Sequence, residues 1–347
     1  MNLKKGLKQT IQAVVFLSLA ILLLWLSFRG IDLGELWGVL RKAHYWWLVP
    51  AVIFSVISFF IRGRRWNLLI EPLGYKPRVI NAFYAVVAGY FANMIFPRLG
   101  EVTKCAALSK KENIPFDKLV GTMLVERTVD VLTVLVILGV TLLAGTTATG
   151  TFLTENVFMP AEKKLSSSLG SATFISVIIL LLAITAVVMF FMLRKRLSAY
   201  PIFGRIYSFS DGLLAGLKSI AKLRRKGEFI LQTILLWIAY FFMSYFPLLC
   251  LDSTADLGIG AAMFILIIGS FGMAAPVQSG LGAYHWIVSR GMLVAYGIPL
   301  EEGLAYATLE HESQMILIAI LGAYSLYALF GKSGARVLSE AVNEKEA

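Results

Sequence analysis

Long apolar segments recur along the chain and limit its fold more than any other feature. Several approach or exceed 18 residues, about the length that a helix needs to cross the hydrocarbon core of a bilayer. The 347-residue chain is 58% hydrophobic and only 15% charged, with a mean hydropathy of +0.76. The sequence therefore predicts an all-α polytopic membrane protein, with residues 1–347 forming a single integral membrane domain and no room for a large soluble one.

Lysine and arginine are distributed unevenly among the segments that connect the apolar runs. If basic segments stay in the cytoplasm, 25 of the 32 Lys and Arg residues lie inside and five lie outside. This bias predicts cytoplasmic N- and C-termini and about six full transmembrane helices. The predicted spans cover residues 11–28, 45–61, 117–144, 172–193, 229–250 and 304–330. The basic cluster that follows the second span, residues 62–66, is predicted to anchor it at the inner interface.

The composition also limits the partners and cofactors. A net charge of +11 follows from topology and from attraction to anionic lipid headgroups, so nucleic acid is not expected as a partner. Two distant cysteines and three histidines without a Cys/His cluster predict no metal site, and no cofactor motif is present. The basic start and long apolar run of residues 1–28 predict an uncleaved span, and we expect the cytoplasmic (inner) membrane of a bacterium.

Residues 258–297 begin with an apolar helix, which is followed by a segment that cannot continue a helix. Pro276 removes a backbone donor, and the closely spaced Gly280 and Gly282 loosen the chain. Broken helices survive at membrane depth only where protein or a water-lined cavity covers them, and transporters bind their substrates there. We predict a re-entrant hairpin at about 258–297; the alternative is a short polar loop between two ordinary spans.

A second broken segment covers about residues 79–112, with its turn at Pro97 and Gly100. Eight complete spans would place the basic residues after this turn outside, so a re-entrant hairpin that enters from the cytoplasm is preferred. The two hairpins would then be opposed, which is compatible with an inverted pseudo-repeat. Between them, residues 200–227 form an amphipathic segment that we expect on the inner leaflet.

Ionisable residues at membrane depth are rare and usually functional. The first group is Arg98, Glu101 and Lys104, which follow Asn93 around the first turn. A helix start and an arginine both suit phosphate, so this group predicts a lipid phosphate site. The alternative is an interfacial cluster that sets topology.

The second group is Glu126, Arg127 and Asp130, which share a helix face inside the third span. Glu126 lies roughly 15 Å into that span at 1.5 Å per residue. These residues could form an ion-pair network with Arg98 or Lys104. They could equally form a structural salt bridge.

The third group joins Gln278 and His285 of the second hairpin to Glu310 and His311 of the last span. Its polar side chains could bind headgroup oxygens, and a histidine beside carboxylates could carry protons. The alternative is hydrogen bonding between helices.

Several short motifs occur in a characteristic order along the chain. They are Arg65-Trp66, Asn93, Pro97-Arg98-Leu99-Gly100-Glu101, Glu126-Arg127 with Asp130, and Pro276 to Gly282. In this order, across about residues 10–330, the chain resembles the lysylphosphatidylglycerol synthase transmembrane, or flippase-like, domain family. The resemblance implies movement of phospholipids or polyprenyl-linked lipids between leaflets. It does not imply aminoacyl transfer, because we expect no soluble synthase domain. Tyr284-His285 also stands where that family often has a glutamate.

These features predict a lipid flippase, not an enzyme, that passes an anionic headgroup through a polar groove near the midplane. A groove of this kind would offset the cost of moving phosphate through hydrocarbon. One alternative is an intramembrane lipid-modifying enzyme with His285 or Glu310 as acid and base. Another is a non-transporting partner in an envelope-assembly complex. The glycines in the spans permit close helix contacts and are compatible with a homodimer.

Overall fold

The computed structural model describes residues 18–97, 99–143 and 223–331, without the side chains of residues 142 and 143. Within these ranges the regular structure is helical, and no strand occurs. The helices are α1 Ser18–Phe28, α2 Leu33–Lys42, α3 Leu48–Ile70, α4 Val79–Ile95, α5 Gly100–Glu112, α6 Phe116–Leu143, α7 Lys226–Leu248, α8 Gly258–Ala274, α9 Ala283–Tyr296 and α10 Leu300–Phe330. The predicted all-α membrane architecture is confirmed.

Four helical segments of the described chain are long and apolar enough to cross a membrane. They are Tyr45–Leu73, Lys226–Leu248, Ala255–Ala274 and Leu300–Phe330. Three of them coincide with predicted spans, and the predicted span at 117–144 is the continuous helix α6. The predicted span at 172–193 and nearly all of the amphipathic segment at 200–227 lie outside the described residues.

The chain divides into two compact units, and each is described by itself. One contains Met1–Met123 and Leu223–Ala347, and the other contains Leu124–Lys222. The first unit holds α1 to α5, α7 to α10 and the beginning of α6.

At one end of the first unit, segments that were predicted to lie at the non-cytoplasmic side of the membrane meet. The Asp32 backbone N–H lies 3.3 Å from Glu301 Oε1, and the His44 N–H donates to the Cys250 carbonyl at 2.8 Å. The sequence did not predict α2 here, although Asp32 Oδ1 accepts the Gly34 N–H at 2.7 Å and so caps the helix. The starts of α2 and α10 and the end of α7 therefore meet at this end, which we call the distal end.

At the opposite end, segments that were predicted to lie at the cytoplasmic side of the membrane meet. Lys111 Nζ donates to the Leu329 carbonyl at 2.9 Å, and Arg64 pairs with Glu228 at 2.7 Å. This proximal end gathers the ends of α3, α5 and α10 with the start of α7. The grouping agrees with the topology that the charges predict, and the side that faces the cytoplasm stays a prediction.

The second predicted span ends too early, because α3 continues through the basic cluster to Ile70. Arg65 and Trp66 in this cluster are fully buried. Trp66 Nε1 donates to Thr122 Oγ1 at 2.9 Å, and the Arg65 guanidinium lies 5.9 Å from the centre of the Phe229 ring. The prediction of an interfacial anchor is therefore wrong for this pair, since neighbouring helices cover both side chains.

Helices α4 and α5 form a tight hairpin that returns to the proximal end. At its base, Glu112 Oε1 accepts the Arg78 backbone N–H at 3.0 Å and the Asn81 amide at 2.6 Å. Nearer the turn, Gly89 and Gly100 face each other so closely that a Cβ on Gly100 would lie 2.4 Å from the Gly89 carbonyl oxygen. Only glycine permits this approach of the two backbones.

Helices α8 and α9 form a second packed pair that starts and finishes toward the distal end. A Cβ on Gly272 would lie 2.9 Å from Tyr284 Cα. The close approach of α8 and α9 near their turn therefore also depends on a glycine. The turn segment 278–280 packs against α4, and α10 packs against both α4 and α9. Helix α8 with the turn before it is 20 residues long, so re-entrance at this hairpin stays a prediction.

Candidate functional site

A buried polar cluster surrounds Glu310 of α10, whose residue exposure is only 4%. Ser244 Oγ donates to Glu310 Oε1 at 2.8 Å. The hydroxyl groups of Tyr284 and Tyr306 lie 2.5 and 2.6 Å from Glu310 Oε2. The Tyr306 hydroxyl also lies 2.7 Å from the Ser244 carbonyl oxygen. One carboxyl group therefore joins α7, α9 and α10, and its lone pairs are well satisfied.

Glu310 lies deep within the helical bundle. It stands ten residues after the start of the 31-residue helix α10, which corresponds to about 15 Å from the distal end at 1.5 Å per residue. A carboxyl group at this depth in a membrane helix is costly to bury. The three surrounding hydroxyls compensate for that cost, so they account for its presence without requiring a salt bridge.

Two histidines and a carboxylate lie directly beside this cluster, with the Tyr284 and His311 ring centres 5.5 Å apart. His311 Nε2 is 2.9 Å from the Ser279 carbonyl oxygen, and His311 Nδ1 is 3.0 Å from Glu312 Oε1. His285 Nε2 is 3.6 Å from the same Glu312 oxygen, and the two imidazole ring centres are 4.9 Å apart. The His285 Nδ1 atom is buried without a hydrogen-bond partner.

The turn between α8 and α9 brings these groups together, and its backbone shape follows from its sequence. Pro276 ends the helix, and Ser279, Gly280 and Gly282 have φ angles of 47, 78 and 76°. The predicted turn residues therefore lie in the turn, where glycine is the residue that tolerates positive φ. The Gln278 Oε1 atom is buried here without a partner.

The first hairpin turn is held by Asn93. Its Oδ1 accepts the Gly100 backbone N–H at 2.7 Å, although the two residues belong to different helices. Pro97 lies between them, in the turn. Asn93 thus satisfies one of the open donors at the start of α5. This bond gives Asn93 a structural contact beside its predicted role in binding.

Two of the other members of the first predicted group lie on α5. Arg98 lies outside the described residues, and Glu101 is half-buried in the first turn of α5. Lys104 is buried, and its Nζ lies 4.1 Å from the centre of the Trp66 ring. Lys104 therefore faces α3, where a cation over an indole ring is favourable.

The second predicted group lies in the second unit. Glu126 is fully buried, and Arg127 Nη1 lies 3.9 Å from Asp130 Oδ2. The ion pair between neighbours on one helix face is therefore present. A network between this group and Arg98 or Lys104 stays a prediction.

The structure brings together the third predicted group. His311 contacts the turn that carries Gln278, and Tyr284 and His285 extend from α9 toward Glu310 and Glu312. Sequence reasoning missed Tyr306 and Ser244. Tyr306 precedes Glu310 by one helical turn, so helical spacing was a usable signal. Ser244 is 66 residues away from Glu310, and no local pattern connects them.

Replacing Asn93 with alanine is expected to lower the free energy of unfolding by about 1 kcal/mol, because the Gly100 N–H loses its acceptor. Thermal unfolding of the purified protein in detergent measures the change. The control is Asn113→Gly at the other end of α5, where φ is 54° and suits glycine. Equal melting temperatures for Asn93→Ala and wild type would show that the Asn93 bond contributes nothing.

The amino-acid sequence matches a known protein family. Residues 11–322 match the lysylphosphatidylglycerol synthase TM region family. Glycosyltransferase AglD of Haloferax volcanii is 24% identical over 95% of this chain and 56% of its own length. The UPF0104 membrane protein PH1989 of Pyrococcus horikoshii is 23% identical over 79% of this chain and 87% of its own length.

A third relative, the UPF0104 membrane protein MJ1595 of Methanocaldococcus jannaschii, is 31% identical over 35% of this chain and 36% of its own length. This chain thus spans only about half of the AglD length and about a third of the MJ1595 length. No solved structure gives a significant match. Since the family match covers most of the sequence and the fold is a helical membrane domain, the chain belongs to the lysylphosphatidylglycerol synthase transmembrane-region family.

Proposed function

We propose that this protein moves an anionic lipid, a phospholipid or a polyprenyl-phosphate-linked lipid, between the leaflets of the membrane. The headgroup would pass along the buried polar residues at the turn between α8 and α9, and the acyl chains would stay in the bilayer. Membership of the family supports a membrane function but does not specify the substrate.

The observation that carries this proposal is the unpartnered Gln278 Oε1 atom beside the buried cluster of Tyr284, Glu310 and His311. Buried polar atoms almost always have partners, and the exceptions call for an explanation. A broken helix that presents such an atom at membrane depth is the arrangement in which transporters bind substrates. A lipid headgroup with hydroxyl donors would complete the hydrogen bonding of Gln278.

The two hairpins supply a second argument. The base of the α4–α5 pair lies at the proximal end, where Glu112 binds Arg78, whereas the α8–α9 pair starts and finishes toward the distal end. The turn segment 278–280 packs against α4, so the hairpins meet inside the unit. Small movements of either hairpin would open the polar cluster to one end at a time. This is the requirement for alternating access.

The similarity to AglD favours a second candidate function. That relative is called a glycosyltransferase, which makes chemical modification of a lipid at this site a competing proposal. In this alternative, His285 or Glu310 would act as acid and base. The two functions differ in their product, because an enzyme changes the mass of the lipid and a flippase does not.

The test is reconstitution into phosphatidylcholine vesicles that contain a trace of headgroup-fluorescent phosphatidylglycerol or of a fluorescent polyprenyl phosphate. Quenching the outer leaflet with dithionite reports transport, and mass spectrometry of the recovered lipid reports modification. We expect Gln278→Ala and Tyr284→Phe to slow transport by about tenfold, equivalent to the loss of one hydrogen bond.

The matched control for this test is Ile316→Ala on α10, since Ile316 is 61% exposed on the outside of the bundle. We expect this variant to transport at the wild-type rate. Folded Gln278→Ala and Tyr284→Phe variants that transport normally would overturn the site assignment. A lipid of altered mass would replace transport with the enzymatic alternative.

A further inference from the structure

We infer that His285, His311 and Glu312 bind one divalent transition-metal ion of the Zn²⁺ type. One ligand atom from each residue lies within 4.8 Å of the others. His285 and His311 are each 3% exposed, so the imidazoles are already oriented inside the protein. This inference does not depend on lipid transport, because metal binding is measured on its own.

Both ring nitrogens of His311 face oxygen atoms. One nitrogen lies 2.9 Å from the Ser279 carbonyl oxygen and the other lies 3.0 Å from Glu312 Oε1, and both of these oxygens are acceptors. A neutral imidazole carries one proton, so in either tautomer one nitrogen lone pair would face an oxygen lone pair. A metal ion in place of one proton removes this conflict, whereas without an ion an additional proton on His311 or on Glu312 is required.

The position of His285 favours the metal ion. Its Nε2 lies 3.6 Å from Glu312 Oε1, which is longer than a hydrogen bond. An imidazolium at His311 would satisfy Glu312 but would leave His285 directed at the same carboxylate without a bond. A metal ion would use His285 Nε2, His311 Nδ1 and Glu312 Oε1 together.

The two distances to Glu312 and the surrounding groups suit such an ion. Two ligand atoms on a tetrahedral zinc ion lie about 3.3 Å apart when the metal–ligand bonds are about 2.0–2.1 Å, and the two distances to Glu312 bracket this value. His311 would donate its Nε2–H to the Ser279 carbonyl, the outer contact that usually orients a metal-bound histidine. The carboxylates of Glu312 and Glu310 would offset the charge of the ion in the membrane.

Two imidazoles and one carboxylate form a set that zinc and other first-row divalent metals accept. Three protein ligands leave one position open on a four-coordinate ion. The site lies beside the turn that carries Gln278. The open position would therefore face the buried polar cluster and suit an oxygen ligand such as a phosphate.

The test uses the full-length protein, treated with a chelator in detergent and then titrated with Zn²⁺ alone. Competition with a chromophoric chelator gives the affinity, and elemental analysis after gel filtration gives the stoichiometry. We expect one Zn²⁺ per chain, and Glu312→Gln and His285→Ala should weaken binding by at least about 100-fold. Substitution with Co²⁺ should give the visible absorption bands of a four-coordinate site.

The third histidine provides the matched control. His44 is exposed and pairs with Asp252 at 3.2 Å at the distal end, so His44→Ala should bind Zn²⁺ like the wild type. Gel filtration and thermal unfolding establish that each variant is folded, and Glu312→Gln preserves side-chain shape if His285→Ala does not fold. Folded wild type that binds no Zn²⁺, or binds it equally after Glu312→Gln, would overturn the inference.

Discussion

Gly100→Ala is expected to destabilise the protein more than any other single-methyl change that we propose. The added Cβ would lie 2.4 Å from the Gly89 carbonyl oxygen and 2.5 Å from Asn93 Nδ2. The Gly89 oxygen belongs to the backbone of α4, so no side-chain rotation relieves the contact, and α4 and α5 must move apart. Overpacking of this kind costs about 3 kcal/mol, and here the Asn93 cap would be lost as well.

The measurement for Gly100→Ala is thermal unfolding in detergent, together with the yield of monodisperse protein. The matched control is Gly121→Ala in α6, where a Cβ would meet nothing within 4 Å. That change should be neutral or stabilising by up to about 1 kcal/mol, because alanine favours a helix more than glycine does. If both variants unfold at the wild-type temperature, the close packing of α4 on α5 is wrong.

Glu310→Leu is the second change with a large expected effect. Leucine has a similar size but accepts no hydrogen bond, so the hydroxyls of Ser244, Tyr284 and Tyr306 lose their common acceptor. Tyr306 keeps the Ser244 carbonyl as a partner at 2.7 Å, whereas Tyr284 keeps none that the structure shows. Since each unsatisfied buried group costs about 1–3 kcal/mol, we expect a loss of about 3 kcal/mol.

A double variant makes the Glu310 prediction specific. Removing both partners of a buried hydrogen bond is much less costly than removing one. Glu310→Leu combined with Tyr284→Phe should therefore be more stable than Glu310→Leu alone, as measured by unfolding in mixed detergents. A double variant that is less stable than Glu310→Leu would show that Tyr284 does not depend on Glu310, and the hydroxyl cluster would then need another explanation.

The two predictions concern features that the sequence revealed to different degrees. Pro97 and Gly100 indicated a turn because proline and glycine interrupt helices wherever they occur. The need for glycine at position 100 was hidden, because Gly89 is brought opposite it only when α4 packs on α5. Glu310 was recognised as an ionisable residue at membrane depth, but two of the hydroxyls that surround it were not.

The basic cluster after the second span shows how packing overrides a local pattern. A run of arginines beside a tryptophan is typical of a membrane interface. In the structure, however, α3 continues past this run, and Thr122 and Phe229 cover Trp66 and Arg65. Phe229, which contributes a cation–π contact to Arg65, comes from a distant part of the chain.

The sequence by itself determined that the chain is helical and membrane-embedded, and where the two hairpins turn. These properties depend on hydropathy, on proline and glycine, and on charge, all of which act over a few neighbouring residues. Only the tertiary structure decided which polar groups share a site. Glu310 meets Ser244 and His311 meets Ser279 because α7, α9 and α10 pack side by side. Such contacts join residues that are far apart in sequence. They depend on how the side chains of neighbouring helices fit together, and no repeating sequence pattern specifies them.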